Sequence, residues 1–245
     1  MSSFSVILAA AGKSSRFRDK HYKKPFAPLD NRAVWLHSAE KFLNRDDVKQ
    51  LIVVISEEDR ETFEMKFAAN VAILGIQLVL GGHQRTDSVA NALAHVKEDI
   101  DFVAVHDAAR PCFANEWIDA IFAAAEESGA AIPAIPVAGT LKRVGENGVI
   151  QETVSRSGLW EAQTPQVFRR QLLLDAYAAR TDELATDDAE LVERMGHPVT
   201  VVTGSPINMK ITTKEDLRLA AYALKALPKP KIIGGQHPFD DEMWR

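Results

Sequence analysis

The sequence predicts an α/β protein in which a mostly parallel sheet is covered by helices on both faces. Short apolar runs alternate along the chain with amphipathic helical patterns, and each run is nearly continuous, as in strands that are buried on both sides. The chain has 245 residues, of which 46% are hydrophobic, so it can bury a full core. One domain is the simplest organisation, although the length alone also allows two small ones.

Six apolar runs are the strand candidates. They are SVILAAA (5–11), VKQLIVVIS (48–56), IQLVLGG (76–82), DFVAVHD (101–107), AAIPAIPV (130–137) and PVTVVTG (198–204). Because parallel strands are joined by right-handed crossovers and ligands bind beyond their carboxyl ends, the ligand-binding loops should follow certain strands. We expect them after Ala11, Gly81, His106 and Val137.

Three segments show the periodicity of amphipathic helices: TDSVANALAHV, NEWIDAIFAAAEES and TTKEDLRLAAYALKAL. Thr86 or Asp87 is the expected N-cap of the first segment. Gly129 is expected to end the second. Thr212, with Glu215 three residues later, predicts a capping box at the start of the third.

One stretch interrupts the alternation. TLKRVGENGVIQETV (140–154) has two short β-like halves around GENG, which is a hairpin signal, and it is too polar for a buried central pair. The sequence therefore predicts a projecting arm over about 138–158. Two interpretations are open, a solvated surface hairpin or an arm that reaches a second subunit. Residues 228–245 contain three prolines and no helical period, which predicts an irregular tail after a domain that spans 1–227.

Composition excludes several classes of protein. The formal net charge of −5 argues against nonspecific binding to nucleic acid, although a local basic pocket is still compatible with it. No apolar run approaches the roughly 20 residues needed to span a bilayer, and the first residues lack the pattern of a secretory signal, so we expect no membrane association. The single cysteine, Cys112, agrees with a reducing compartment, and the cytoplasm is the expected location.

The first strand runs into a loop suited to phosphate. In SVILAAAGKSSRF, the small residues Ala10 and Ala11 let backbone amides approach an anion, and Gly12 permits a sharp turn. The Walker and dinucleotide-binding patterns are excluded, because each requires glycines that are absent here. Arg16 and Lys24 flank this turn, as suits a triphosphate. A basic, solvated loop is the alternative.

VHDAARP carries the second candidate site. Asp107 ends an apolar strand, where a carboxylate is well placed for Mg²⁺, a cation that prefers one or two carboxylates together with phosphate oxygens and water. Arg110 is then available for a second anion. Helix capping by Asp107 is the competing explanation, and His106 is interpreted as structural.

GGHQRTDS carries the third candidate site. Two glycines follow a strand, and Gly82 is succeeded by Arg85 and by Ser88 in the first turn of a helix. Backbone and hydroxyl groups in this arrangement suit a base or a ribose. An ordinary turn between a strand and a helix is the alternative.

Taken together, the motifs point to a known family. LAAAGKSSRF with KKPF, GGHQRTDSV, VHDAARPC, VAGTLKRV, TVSRSGLWEAQTPQVF, TDDAELVE and NMKITTKEDL occur in this order between about Val6 and Leu227. This set resembles the 2-C-methyl-D-erythritol 4-phosphate cytidylyltransferases of the non-mevalonate isoprenoid pathway. The resemblance implies a Rossmann-like, three-layer nucleotidyltransferase fold. It also implies CTP and methylerythritol phosphate as substrates, Mg²⁺ as the cofactor, and a homodimer whose arms complete each other's active sites.

The resemblance also implies roles for individual residues. Arg16, Lys24, Arg156 and Lys210 would be catalytic, with Lys24 preferred over Lys23 in the KK doublet. The CTP-binding residues would be Ala10, Ala11, Gly12, Gly82, Arg85, Ser88 and Asp107, with Asp107 beside the metal. The acceptor would contact Arg110, Thr140, Arg156, Thr164, Thr186 and Lys210.

Two other functions remain compatible with the motifs. A ribitol-phosphate cytidylyltransferase shares the fold and much of the motif set, and would differ mainly around the arm. A regulatory module that binds nucleotide without catalysis is the second alternative.

Overall fold

The computed structural model of this protein describes residues 1–12, 14, 17 and 22–228. Two features predicted above, the role of Arg16 and the tail from residue 229 onward, lie outside the described residues. No helix in the described part of the chain is long and apolar enough to cross a membrane.

A single large sheet forms the centre of the molecule. Its strands and the shorter extended segments are β1 (Phe4–Ala9), β2 (Pro28–Leu29), β3 (Arg32–Ala33), β4 (Val48–Ile55), β5 (Gln77–Leu80), β6 (Phe102–Asp107), β7 (Ala130–Pro136), β8 (Leu141–Val144), β9 (Ile150–Val154), β10 (Trp160–Ala162), β11 (Gln166–Arg169) and β12 (Thr200–Thr203). The order in the large sheet is β10-β7-β11-β6-β1-β4-β5, and β12 also pairs with β7. All six predicted strands are therefore confirmed.

The parallel core of the sheet is formed by β6, β1, β4 and β5. The strand β11 lies between β6 and β7 and is antiparallel to both. Sequence patterning missed β11 and β10, since both are short and lie within a segment distinguished only by its motif. The mostly parallel sheet is confirmed, with these antiparallel strands as an addition.

Helices cover both faces of the sheet. They are α1 (Val34–Leu43), α2 (Arg60–Ile73), α3 (Arg85–Leu93), α4 (Asn115–Ser128), α5 (Arg170–Ala178), α6 (Asp188–Arg194) and α7 (Lys214–Lys225). Side chains alternate along β1, so that Val6 and Leu8 pack on the α1 and α4 side while Ile7 packs on the α3 and α5 side. A strand buried on both faces has to be apolar at every position, which explains its continuous apolar run.

The helix ends correct two predictions. Helix α3 begins earlier than expected, with Gln84 as its N-cap and Asp87 as the reciprocal partner of a capping box. The capping box of α7 uses Thr213 and Asp216, one residue beyond the predicted pair. Thr212 lies one residue before this cap, and its hydroxyl donates to the Lys210 carbonyl. The end of α4 is as predicted, with Gly129 at φ 85°.

The predicted arm is present as a separate hairpin. Within the described residues, strands β8 and β9 pair only with each other, in an antiparallel two-stranded sheet. Its turn is closed by a hydrogen bond from the Gly148 N–H to the Gly145 carbonyl, and Val149 and Ile150 at the turn are more than half exposed. The arm therefore lies outside the core and presents apolar side chains to its surroundings.

Candidate active site

A cavity of about 680 Å³ opens at the carboxyl edge of the parallel strands. The loops after β1, β4, β5 and β6 form its walls, as expected for a ligand site in a parallel sheet. The predicted site residues that line it are Ala10, Ala11, Gly12, Lys24, Gly82, Arg85, Ser88, Asp107 and Lys210. Nine residues that were selected from separate motifs thus meet in one place.

The wall after β5 needs glycine for steric reasons. A Cβ at Gly82 would lie 2.4 Å from the Asp87 Cβ, and one at Gly81 would lie 2.7 Å from the Ser88 Oγ. The Ser88 hydroxyl accepts a hydrogen bond from the Gly82 N–H and donates to the Gln84 carbonyl. Ser88 therefore holds the tight turn that places the start of α3 at the cavity.

The cavity wall after β1 also contains a glycine, Gly12. Unlike Gly81 and Gly82, it is not required by packing within the protein. A Cβ at Gly12 would meet no atom of the described residues within 4 Å, and Gly12 is not in the left-handed region. Within the described residues, the N–H groups of Ala11 and Gly12 donate no hydrogen bond. Both amides are thus available to a ligand, and the missing side chain keeps the approach open.

The Asp107 carboxylate lies at the centre of a group of three cations. Its Oδ2 atom is 2.8 Å from the Lys210 Nζ and 3.3 Å from the Arg110 Nε. Its Oδ1 atom is 3.8 Å from the Arg85 Nε. Asp107 is 6% exposed, and burial alone would raise its pKa, but Lys210, Arg85 and Arg110 outweigh that effect and hold the pKa well below the usual range.

Helix capping does not account for Asp107. The next helix in the described chain, α4, begins eight residues later and has Ala114 as its N-cap. The structure thus rules out the capping explanation. Lys210 reaches Asp107 because the Ile211 N–H donates to the Ala109 carbonyl and draws this segment alongside the end of β6.

Two neutral groups fix the backbone at Asp107. The Thr164 Oγ1 accepts a hydrogen bond from the Asp107 N–H and lies 3.1 Å from the His106 Nδ1. The His106 Nε2 is 3.0 Å from the Arg110 carbonyl, to which it donates in this tautomer. Burial lowers the pKa of His106 to about 4, so the ring is neutral at pH 7. His106 is structural, as predicted. Thr164 contacts both the His106 ring and the Asp107 N–H.

Lys23 and Lys24 both line the cavity. The Lys23 Nζ is 3.1 Å from the Glu58 carboxylate and 2.9 Å from that of Asp59. Lys23 thus ties the loop after β1 to the loop after β4.

The remaining predicted residues do not line this cavity. Arg110 and Thr164 lie behind it, in contact with Asp107. Thr186 is exposed and donates to the Glu190 carboxylate at the start of α6. Thr140 and Arg156 lie at the base of the arm, both exposed, where the Arg156 guanidinium donates to the Ala138 carbonyl.

Sequence reasoning missed one wall of the cavity. Ser56, Glu57 and Glu58 line it from the loop after β4. The rule that ligands bind at the carboxyl ends of parallel strands pointed to this loop as well, but the loop contains no glycine or arginine motif to draw attention to it.

Relatives and solved structures agree with this architecture. The sequence profile of the 2-C-methyl-D-erythritol 4-phosphate cytidylyltransferases matches residues 4–226. A protein of this name from Rhodopirellula baltica is 45% identical over 233 residues, covering 91% of this chain and 95% of the relative. One from Bacillus pumilus is 40% identical over 226 residues, covering 91% and 97%. The crystal structure of the protein of this name from Thermus thermophilus superposes with a TM-score of 0.75 at 30% identity, covering 92% of this chain and all of that one.

The mostly parallel sheet, the cavity with glycines and cations at its carboxyl edge, and the relatives together place the chain among the nucleotidyltransferases, enzymes of the α/β class. The chain belongs to the 2-C-methyl-D-erythritol 4-phosphate cytidylyltransferase family. Neither the ribitol-phosphate enzyme nor the noncatalytic module is favoured by these comparisons.

Proposed function

We propose that this chain transfers CMP from CTP to 2-C-methyl-D-erythritol 4-phosphate and releases pyrophosphate, in the non-mevalonate isoprenoid pathway. A phosphate oxygen of the acceptor attacks the α-phosphorus of CTP in line. The bond from the α-phosphorus to the bridging oxygen breaks, and its electron pair leaves with pyrophosphate. One observation carries the proposal beyond family membership, namely the meeting of Lys24, Arg85 and Lys210 around a single cavity.

Electrostatics is the main task of such an enzyme, because both reactants are anions. Preorganised cations offset the repulsion, hold the line of attack and stabilise charge that develops on the phosphate oxygens. On the nucleotide side we assign the available amides of Ala11 and Gly12 and the Lys24 ammonium to the triphosphate, together with Arg16.

We assign the cytidine to the opposite wall and the acceptor to the other end of the cavity. Ala10, Gly82, Arg85 and Ser88 face the base and ribose in this assignment. Lys210 lies where Asp107 fixes its ammonium group, and it would hold the acceptor phosphate. Arg110 and Thr164 would support this end from behind the cavity through Asp107, and Thr186 would contact the acceptor from outside the cavity. Arg156 and Thr140 would complete this half of the site from the arm of a second copy.

The residues present fit a Mg²⁺ ion that takes a single protein ligand. No group of three or more His, Cys, Asp or Glu side chains able to hold a metal occurs among the described residues. Asp107 is ionised, and its Oδ1 atom is the less occupied one, since Lys210 and Arg110 both contact Oδ2. Mg²⁺ commonly combines one carboxylate with substrate phosphates and water. When bound, it supplies positive charge to the triphosphate.

We also propose a homodimer in which the arm of each chain completes the other's site. Arg156 lies exposed at the base of the arm and does not line the cavity of its own chain, which supports its supply by a second copy. Mixing the Lys24→Ala and Arg156→Ala chains tests this directly. Random reassortment leaves about a quarter of the sites with both residues intact, so activity should return on mixing two nearly inactive proteins. If the mixture remains as inactive as its components, the shared site is rejected.

We also place the enzyme in the cytoplasm. The single cysteine, Cys112, is buried beneath α7, where its thiol contacts the Ala220 carbonyl, and burial raises its pKa to about 12. It forms no disulfide within the chain. This is ordinary for a protein of a reducing compartment. Fractionation of cells that express the tagged chain would check the location.

One assay tests the proposed reaction. Purified protein with Mg²⁺ is given each of the four nucleoside triphosphates, with methylerythritol phosphate or ribitol phosphate as acceptor, and pyrophosphate release is measured. We expect pyrophosphate release only when CTP and methylerythritol phosphate are supplied together. Release with ribitol phosphate instead would establish the alternative acceptor, and CTP binding without release for either acceptor would establish a noncatalytic module.

A further inference from the structure

Behind the cavity wall, Arg85 belongs to a buried network that the assignments above do not use. Its Nη2 atom donates to the Asp188 Oδ2 at 2.7 Å, and the Asp188 Oδ1 accepts from the Tyr177 hydroxyl at 2.5 Å. Asp188 has no exposed surface, and it lies 103 residues from Arg85 in the chain. A buried carboxylate is retained only when such partners compensate its lost hydration.

The backbone around Asp188 is fixed as firmly as its side chain. Asp188 is the first residue of α6, and the Gln166 side-chain carbonyl accepts from the N–H groups of both Asp188 and Ala189 at 3.0 Å. Gln166 belongs to β11, at the centre of the sheet, and Tyr177 belongs to α5. Asp188 is therefore positioned by β11 through its backbone N–H and by α5 through its carboxylate.

Arg85 is in turn held between two carboxylates. Asp188 engages Nη2, and the Asp107 Oδ1 lies 3.8 Å from Nε. The Nη1 atom is buried and has no hydrogen-bond partner among the described residues, while the side chain as a whole is 27% exposed. A guanidinium held in this way loses little further freedom when its exposed part meets a ligand.

We propose that Asp188, oriented by Tyr177, is a positioning residue that fixes the Arg85 guanidinium at the cavity wall for nucleotide binding. The inference rests on the proposed function insofar as the ligand is CTP. It assigns to the second aspartate of TDDAELVE a role that is distinct from that of Thr186 in the same motif.

The test compares two neighbouring aspartates. Asp188→Asn keeps the shape and removes the charge that faces Arg85. Asp187→Asn is the matched control, because Asp187 caps the same helix and contacts Gln166 but not Arg85. The dissociation constant of CTP is measured by calorimetry without acceptor, and the melting temperature is recorded for each protein. We expect Asp188→Asn to weaken CTP binding about tenfold, as for the loss of one charged hydrogen bond. Asp187→Asn should lower the melting temperature and leave the CTP affinity within about twofold.

A double-mutant cycle isolates the route through Arg85. In an Arg85→Gln background, Asp188→Asn should change CTP affinity by less than about twofold, because the group that it positions is already lost. Additive effects would overturn the proposal, as would equal losses from the two aspartates. If Asp188→Asn does not fold, Tyr177→Phe takes its place in the cycle, with the same non-additivity expected. A wild-type chain that binds CTP but transfers to no acceptor contradicts the proposed reaction and leaves this test intact.

Discussion

The cavity and the arm contain similar charged groups in opposite settings. Asp107 is buried against Lys210, Arg110 and Arg85, and each contact is fixed by the loops at the edge of the sheet. On the arm, Arg143 and Glu152 pair at 2.5 Å with both side chains more than half exposed. The charged groups of the cavity are thus preorganised within one chain. The arm gains a comparable environment only where another surface covers it.

The largest effect expected is on catalysis in the cavity. Lys24→Ala should lose a factor of about 10² to 10³ in turnover, equivalent to about 3 to 4 kcal/mol, because it removes one preorganised donor to the phosphates. Its circular dichroism spectrum should be unchanged. Lys23→Ala is the matched control, since Lys23 is engaged with Glu58 and Asp59, and it should lose less than about tenfold. A larger loss of turnover for Lys23→Ala than for Lys24→Ala would make Lys23 the phosphate ligand and refute the assignment to Lys24.

The next largest effect is expected on the stability of the folded protein, through a charged group of the cavity. Asp107→Asn should lower the free energy of unfolding by about 3 kcal/mol, since it leaves three cations near a buried, neutral amide. We place this loss at the low end of the range for buried ion pairs because the Lys210 side chain is 39% exposed and can regain water. Unfolding by denaturant measures the loss. The depressed pKa of Asp107 gives stability that is complete above about pH 4 and is lost as the pH falls below that value.

A separate pH window belongs to His106. Its pKa lies near 4 in the folded chain against 6.5 in the unfolded one, so the unfolded state binds more protons between these values. The free energy of unfolding should therefore fall by about 2 to 3 kcal/mol as the pH falls from 6.5 to 4. Burial also lowers the pKa of His37, so the relevant quantity is the difference between wild type and His106→Asn. Parallel stability curves for the two proteins would contradict this account.

The smallest effect is expected on the arm. Glu152→Gln should change the free energy of unfolding by less than about 1 kcal/mol, because an exposed ion pair gains little from association. Turnover should be unchanged. A loss greater than about 2 kcal/mol that depends on protein concentration would show that a second copy covers this pair, and the contrast with Asp107 would then disappear.

Sequence reasoning was most successful where a residue type has a single physical use. The two glycines of GGHQRTDS were predicted to follow a strand where backbone groups could face a ligand, and a side chain at Gly82 would collide with the Asp87 Cβ. The continuous apolar runs gave every strand of the parallel core, because both faces of the sheet are buried. The arm was evident from a glycine turn between polar strands.

It was least successful where several partners compete for a residue. Thr212 and Thr213 are equivalent in the sequence, and only the folded backbone brings the Asp216 N–H to the Thr213 hydroxyl, which caps α7. The acidic partners of Lys23 lie more than 30 residues away in the chain. Asp188 went unnoticed because its significance depends on Arg85 and Tyr177, which only the folded chain brings together.

The insertion of β11 between β6 and β7 also bears on biosynthesis. Residues 166–169 join the two halves of the sheet, so β6 has one unpaired edge until about two-thirds of the chain has left the ribosome. An exposed strand edge is a template for aggregation, and the nascent chain passes through this state with β1, β4 and β5 already available. Fragments that end before residue 166 should therefore precipitate or require a chaperone, whereas those that end after α5 close that edge.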